Sequence, residues 1–92
     1  MMTLELLCQR FTALRPEDLE HWISEGYVRP DAAEGELVFQ EIDVERVRLI
    51  LDLREVMAVN EDALPVVLSL LDQLYALRRR LRRLGLEPDD EA

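Results

Sequence analysis

The chain contains no lysine, one cysteine, one histidine, three glycines and five aromatic residues, and each shortage excludes something. A single cysteine, Cys8, cannot close an internal disulfide, so folding requires no oxidising compartment. Cys8 and His21 stand alone and are expected on different faces, which offers neither a nucleophile pair nor a metal cluster. Three isolated glycines provide no phosphate-cradling loop. No apolar run approaches the roughly 18 residues of a membrane span. The opening MMTLELLCQRF lacks basic residues at its start and is interrupted by Glu5, unlike a signal peptide. The expectation is a soluble, cytoplasmic protein that is not an enzyme, with no cofactor, no metal and no membrane partner.

What is present is leucine and acid. Ninety-two residues suffice for one small domain. About half are apolar and a third charged, a balance that favours a folded, helix-rich chain over disorder. Twenty acids face eleven arginines, giving a net charge of −9. Five of those arginines lie within 78–83, so residues 1–77 are more acidic still. Such a surface repels phosphate and attracts basic partners.

Along the chain, Thr3 can cap a first helix whose apolar positions are Leu4, Leu7, Cys8 and Phe11. After the turn Thr12-Ala13-Leu14, Pro16 opens a second helix, with Glu17 and Asp18 complementing its N-terminus and Gly26 stopping it. Arg15 stands where a capping side chain belongs and has no acceptor to offer, at a cost of roughly 0.5–2 kcal/mol. A step of 100° per residue puts Leu19, Trp22 and Ile23 on one arc; Glu17, Glu20, His21, Ser24 and Glu25 lie opposite. Two short helices so joined form a helix-turn-helix. Tyr27-Val28 and Leu37-Val38-Phe39 flank RPDAAEGE as the strands of a hairpin, or wing.

Asp43 is expected to cap a third helix running to about Met57, whose narrow polar stripe of Glu45, Arg48, Asp52 and Glu55 marks it as central. A fourth helix is expected to begin near Asn60 or Asp62, with Asp62 as its cap, to run to Leu84 and to stop at Gly85, before Pro88. Ala63, Val67, Leu70, Leu74, Leu77, Leu81 and Leu84 alternate spacings of four and three, the seam of a coiled coil. Leu64, Leu68, Leu71 and Tyr75 form a second row that ends earlier. The early turns should therefore dock on the domain while Val67, Leu70, Leu74, Leu77, Leu81 and Leu84 serve self-association, as a homodimer. Antiparallel pairing keeps Arg78–Arg83 from stacking on its own copy and sets it against Asp72. The organisation expected is a winged helix-turn-helix with central helix over 1–59, a docking and coiled-coil helix over 60–86, and an acidic tail over 87–92.

A helix-turn-helix invites a DNA-binding reading, and the charges oppose it. DNA readers place Arg or Lys on the exposed helix and the wing, because phosphate contacts supply much of the affinity. Here the helix presents Glu17, Glu20 and Glu25, and the wing Asp31, Glu34 and Glu36 against Arg29 alone. The arginine run 78–83 has no interleaved aromatics and sits where cations complement a helix C-terminus, so it argues only weakly for nucleic acid.

The segments LEHWISEGYVRP, the wing ending in Phe39 and DVERVRLILDLREV resemble the MerR superfamily of winged helix-turn-helix proteins. Length, acidic second helix and the final LPVVLSLLDQLYALRRRLRRL are similar to the short chaperone modulators of the CbpM type. The resemblance implies a mainly α, MerR-like fold with a small β-hairpin wing and a long C-terminal amphipathic helix. It also implies binding to, and inhibition of, the J-domain of a DnaJ-like co-chaperone such as CbpA; an acidic module that occupies the basic J-domain surface used by Hsp70 through charge complementarity would inhibit by competition. The acidic residues Glu17, Glu20, Glu25, Asp31, Glu34 and Glu36 are the candidate contact surface, the stripe of Glu45, Asp52 and Glu55 a second candidate. A MerR-like transcription regulator that keeps its DNA surface is the alternative, and a plain dimerisation module a third.

Overall fold

The computed structural model describes residues 1–86, so the acidic tail 87–92 and Pro88 lie outside the described residues. The chain divides into two compact units between Glu61 and Asp62. The first contains helices α1 (Leu4–Arg10), α2 (Pro16–Ser24) and α3 (Glu41–Glu55) and strands β1 (Asp31–Ala33) and β2 (Glu36–Val38). The second is helix α4 (Leu64–Arg83) with its flanks. The chain is thus mainly helical with one small antiparallel hairpin.

In the first unit, Thr3 caps α1 by accepting from the backbone N–H of Leu6 at 3.3 Å. The helix buries Leu7 fully and leaves Leu4, Cys8 and Phe11 half-buried. Helix α2 starts at Pro16 behind Arg15, which makes no side-chain cap bond, and buries Leu19 and Trp22. Its end is a Schellman motif. Gly26, at φ +80, donates to the carbonyl of Ile23 at 3.0 Å while Tyr27 donates to that of Trp22 at 2.8 Å, satisfying carbonyls the helix leaves open.

The hairpin departs from the sequence expectation. Its first strand is Asp31–Ala33 rather than Tyr27-Val28, paired Asp31↔Val38, Ala32↔Leu37 and Ala33↔Glu36. Glu34 and Gly35 form the two-residue turn, both at positive φ, a geometry that matches the twist of paired strands. That tight turn centres the pairing closer to the glycine. Val28 is instead a core residue. Phe39 continues beyond β2, donating to the carbonyl of Met2 at 2.8 Å.

Asp43 is likewise not the cap of α3. Gln40 is, and Asp43, buried at 7 % exposure, accepts the Gln40 N–H at 2.9 Å from the third helical position. Because the carboxylate reaches back three residues, the helix begins earlier than expected. It buries Val44, Val47, Ile50, Leu51 and Leu53 and ends at Glu55, short of Met57. Ile42 in its first turn is exposed. With Leu14, Val28 and Phe39, these residues make up the core of the first unit.

In the second unit, α4 begins at Leu64 behind Ala63, so Asp62 does not cap it. Residues 61–63 form a turn instead, and Pro65 occupies the first helical turn, where its missing N–H is tolerated. The helix ends as α2 does, with Gly85 at φ +74 and Leu86 donating to the carbonyl of Leu81 at 2.8 Å.

Candidate protein-interaction surfaces

The amphipathic pattern of α2 turns its acids outward: Glu17 and Glu20 are exposed on the face opposite Leu19 and Trp22, and Glu25 is exposed at the C-cap. His21 lies among them, its carbonyl accepting from the Ser24 hydroxyl at 2.7 Å. The hairpin forms a second acidic group, with Asp31 on β1, Glu34 in the turn and Glu36 on β2, all exposed. Asp31 accepts from the Gln40 amide, which ties the strand to the start of α3. Among the described residues, Glu17, Glu20, Glu25, Glu34 and Glu36 enter no ion pair. Their charge acts on neighbours nonetheless. Burial first, then Glu17, raises the pKa of the Cys8 thiol, and burial, then Glu25 and Glu61, raises that of the Tyr27 phenol.

The stripe on α3 differs. Glu45 pairs with Arg48 at 3.5 Å and Glu55 with Arg54 at 2.7 Å, which leaves Asp52 as its uncompensated acid. Compensated charges offer less to an incoming cation. The α2 and hairpin acids are therefore the stronger candidate of the two.

Beneath α2 lies a residue that the sequence reading passed over. Arg54 of α3 donates to the Asp18 carboxylate at 3.0 Å and to the Ala13 carbonyl at 3.3 Å, and its guanidinium lies 5.4 Å from the centroid of the Trp22 ring. Both side chains of the Arg54–Asp18 pair are about four-fifths buried. Burial lowers the Arg54 pKa, but the bonds to Glu55 and Asp18 outweigh it and the net shift is upward. Asp18 and Trp22 are four residues apart on one edge of α2, the spacing that one planar cation can span. That spacing was visible in the sequence, whereas the partner 36 residues away was not.

On α4 the expected separation of the two apolar rows is incomplete, because Tyr75, the last residue of the second row, is 44 % exposed. Leu64 and Leu68 are buried and Leu71 is half-buried. Along the seam, Leu70, Leu74, Leu77 and Leu84 are 59, 43, 51 and 67 % exposed, with Val67 and Leu81 half-buried. Arg79, Arg80, Arg82 and Arg83 are exposed beside the seam's end.

Among the described residues, no group of three or more His, Cys, Asp or Glu is placed to hold a metal ion, and no helix is long and apolar enough to cross a membrane. Comparison with protein-family models, with curated proteins and with solved structures returns no match for this chain.

Proposed function

We propose that the protein is a non-enzymatic chaperone modulator of the CbpM type, built on a MerR-like winged helix-turn-helix. It binds the J-domain of a DnaJ-like co-chaperone and covers the basic helical surface that Hsp70 needs. The observation carrying this reading is the set of exposed, unpaired acids on α2 and the hairpin, the positions where a DNA-reading relative would present cations. Such charges steer a basic partner and fix its orientation more than they add raw affinity. The same acids weigh against a transcription regulator, because each would be repelled by the phosphate it approached. The exposed leucine seam of α4 supports self-association as a homodimer, since soluble proteins seldom leave such a strip to water.

The test uses the J-domain encoded in the same genome. The modulator should bind it in low salt and should abolish its stimulation of Hsp70 ATPase in a manner that added Hsp70 reverses. No binding at tens of micromolar, on the order of 7 kcal/mol or less of association energy, would remove the proposal.

A further inference from the structure

We infer that Arg54 is the positioning residue of the acidic face: it sets the pose in which α2 presents Glu17, Glu20 and Glu25 to the basic partner. The inference rests on the reading just proposed and adds to it a residue that never touches that partner. Arg54 grips α2 twice from α3, through the Asp18 carboxylate and the Trp22 ring, and grips the preceding turn through the Ala13 carbonyl. The Ncap residue, Arg15, contributes no side-chain cap bond. Its own ion pair with Asp18 is longer, at 3.6 Å, and its side chain is 71 % exposed. Beside the burial of Leu14, Leu19 and Trp22, Arg54 therefore supplies the polar hold on the start of α2. A flat guanidinium can serve a carboxylate, a carbonyl and an aromatic face together, whereas an ammonium cannot.

Pose and charge make opposite predictions here, which makes the role testable. Arg54→Gln removes a cation from beneath the acidic face, and Asp18→Asn removes an acid. If summed charge alone governed binding, the first variant would bind the J-domain more tightly, the second more weakly, and Arg54→Lys would bind as wild type. If Arg54 sets the pose, all three weaken binding. The weakening then appears as faster dissociation, about tenfold, the order expected on losing one charge-assisted contact's worth of alignment. Association, steered by long-range charge, should stay within about threefold.

The measurement is stopped-flow association and dissociation of the full-length protein and the J-domain. Far-UV circular dichroism of the mainly helical chain shows in each sample that the fold is retained. Arg54→Lys and Asp18→Asn carry the test should Arg54→Gln fail to fold. Faster dissociation of every folded variant supports the inference. Tighter binding by Arg54→Gln, or wild-type dissociation by Arg54→Lys and Asp18→Asn, overturns it while leaving the proposed function standing. Absence of binding by the wild type overturns the proposed function, and this inference with it.

Discussion

Replacing Gly26 by alanine should destabilise the first unit by about 1 kcal/mol, and replacing Ala58 by glycine should do the reverse. Gly26 holds φ +80 at the end of α2, and Ala58 holds φ +55 in the segment after α3. A side chain in the left-handed region costs roughly 1–2 kcal/mol through the approach of Cβ to the following carbonyl. Space is not the issue at Gly26, because an added Cβ would find its nearest neighbour, an Arg29 nitrogen, 4.0 Å away. Against the strain stands the lower unfolded-state entropy of alanine, which returns roughly 0.4–1 kcal/mol. The net is a loss of about 0.5–1.5 kcal/mol for Gly26→Ala and a gain of similar or smaller size for Ala58→Gly. In a domain this small, 1 kcal/mol corresponds to roughly 4–8 °C in Tm. Thermal and urea denaturation followed through Trp22, which is 1 % exposed, reports on the unit that holds both positions. An unchanged or raised Tm for Gly26→Ala, or a lowered one for Ala58→Gly, would refute the account of how these two segments are held.

Leu19 is fully buried on α2, so Leu19→Ala should cost about 2–5 kcal/mol by the same denaturation assay, a large part of a small domain's stability. Leu77→Asp combined with Leu81→Asp should convert a dimer to a monomer in sedimentation; a wild type already monomeric at about 100 µM, a permissive concentration, would show the seam serves another partner. Tyr27 has its pKa raised in the fold, by burial and then by Glu25 and Glu61. The folded state therefore holds the phenolic proton more tightly than the unfolded one. Stability should be intact below the ordinary tyrosine range and fall as pH rises through the folded value. Urea midpoints at rising alkaline pH should drop less in Tyr27→Phe, and equal drops would refute the assignment.

Local chemistry was legible in the sequence and long-range chemistry was not. Gly26 and Gly85 announced the ends of α2 and α4, because a left-handed stop has one strongly preferred residue. The i, i+3, i+4 spacing placed Leu19 and Trp22 inside and Glu17 and Glu20 outside, as the structure has them. The first strand of the hairpin was placed a few residues too early because Tyr27-Val28 is β-prone, while the second, Leu37-Val38-Phe39, overlaps the observed Glu36–Val38. The turn geometry of Glu34-Gly35 decided the pairing, and Val28 went to the core. Asp43 looked like a cap because Asp is a good one, but at the third helical position it holds the N–H of Gln40 equally well. Likewise, Asp62 lies within the turn before α4, whose cap position is Ala63. Arg54 could not be found from pattern, since its partners come from two segments remote in the chain.

Recognition of a basic protein surface by the exposed acids of α2 would show in calorimetric titration of the J-domain into wild type and into the combined variant Glu17→Gln, Glu20→Gln, Glu25→Gln. These side chains are exposed, so the neutral replacements leave the core intact. Wild-type binding should weaken as salt shortens the Debye length from about 30 Å at 0.01 M to about 8 Å at 0.15 M, and the variant should bind at least about tenfold more weakly in low salt. Equal affinity of wild type and variant, insensitive to salt, would contradict it.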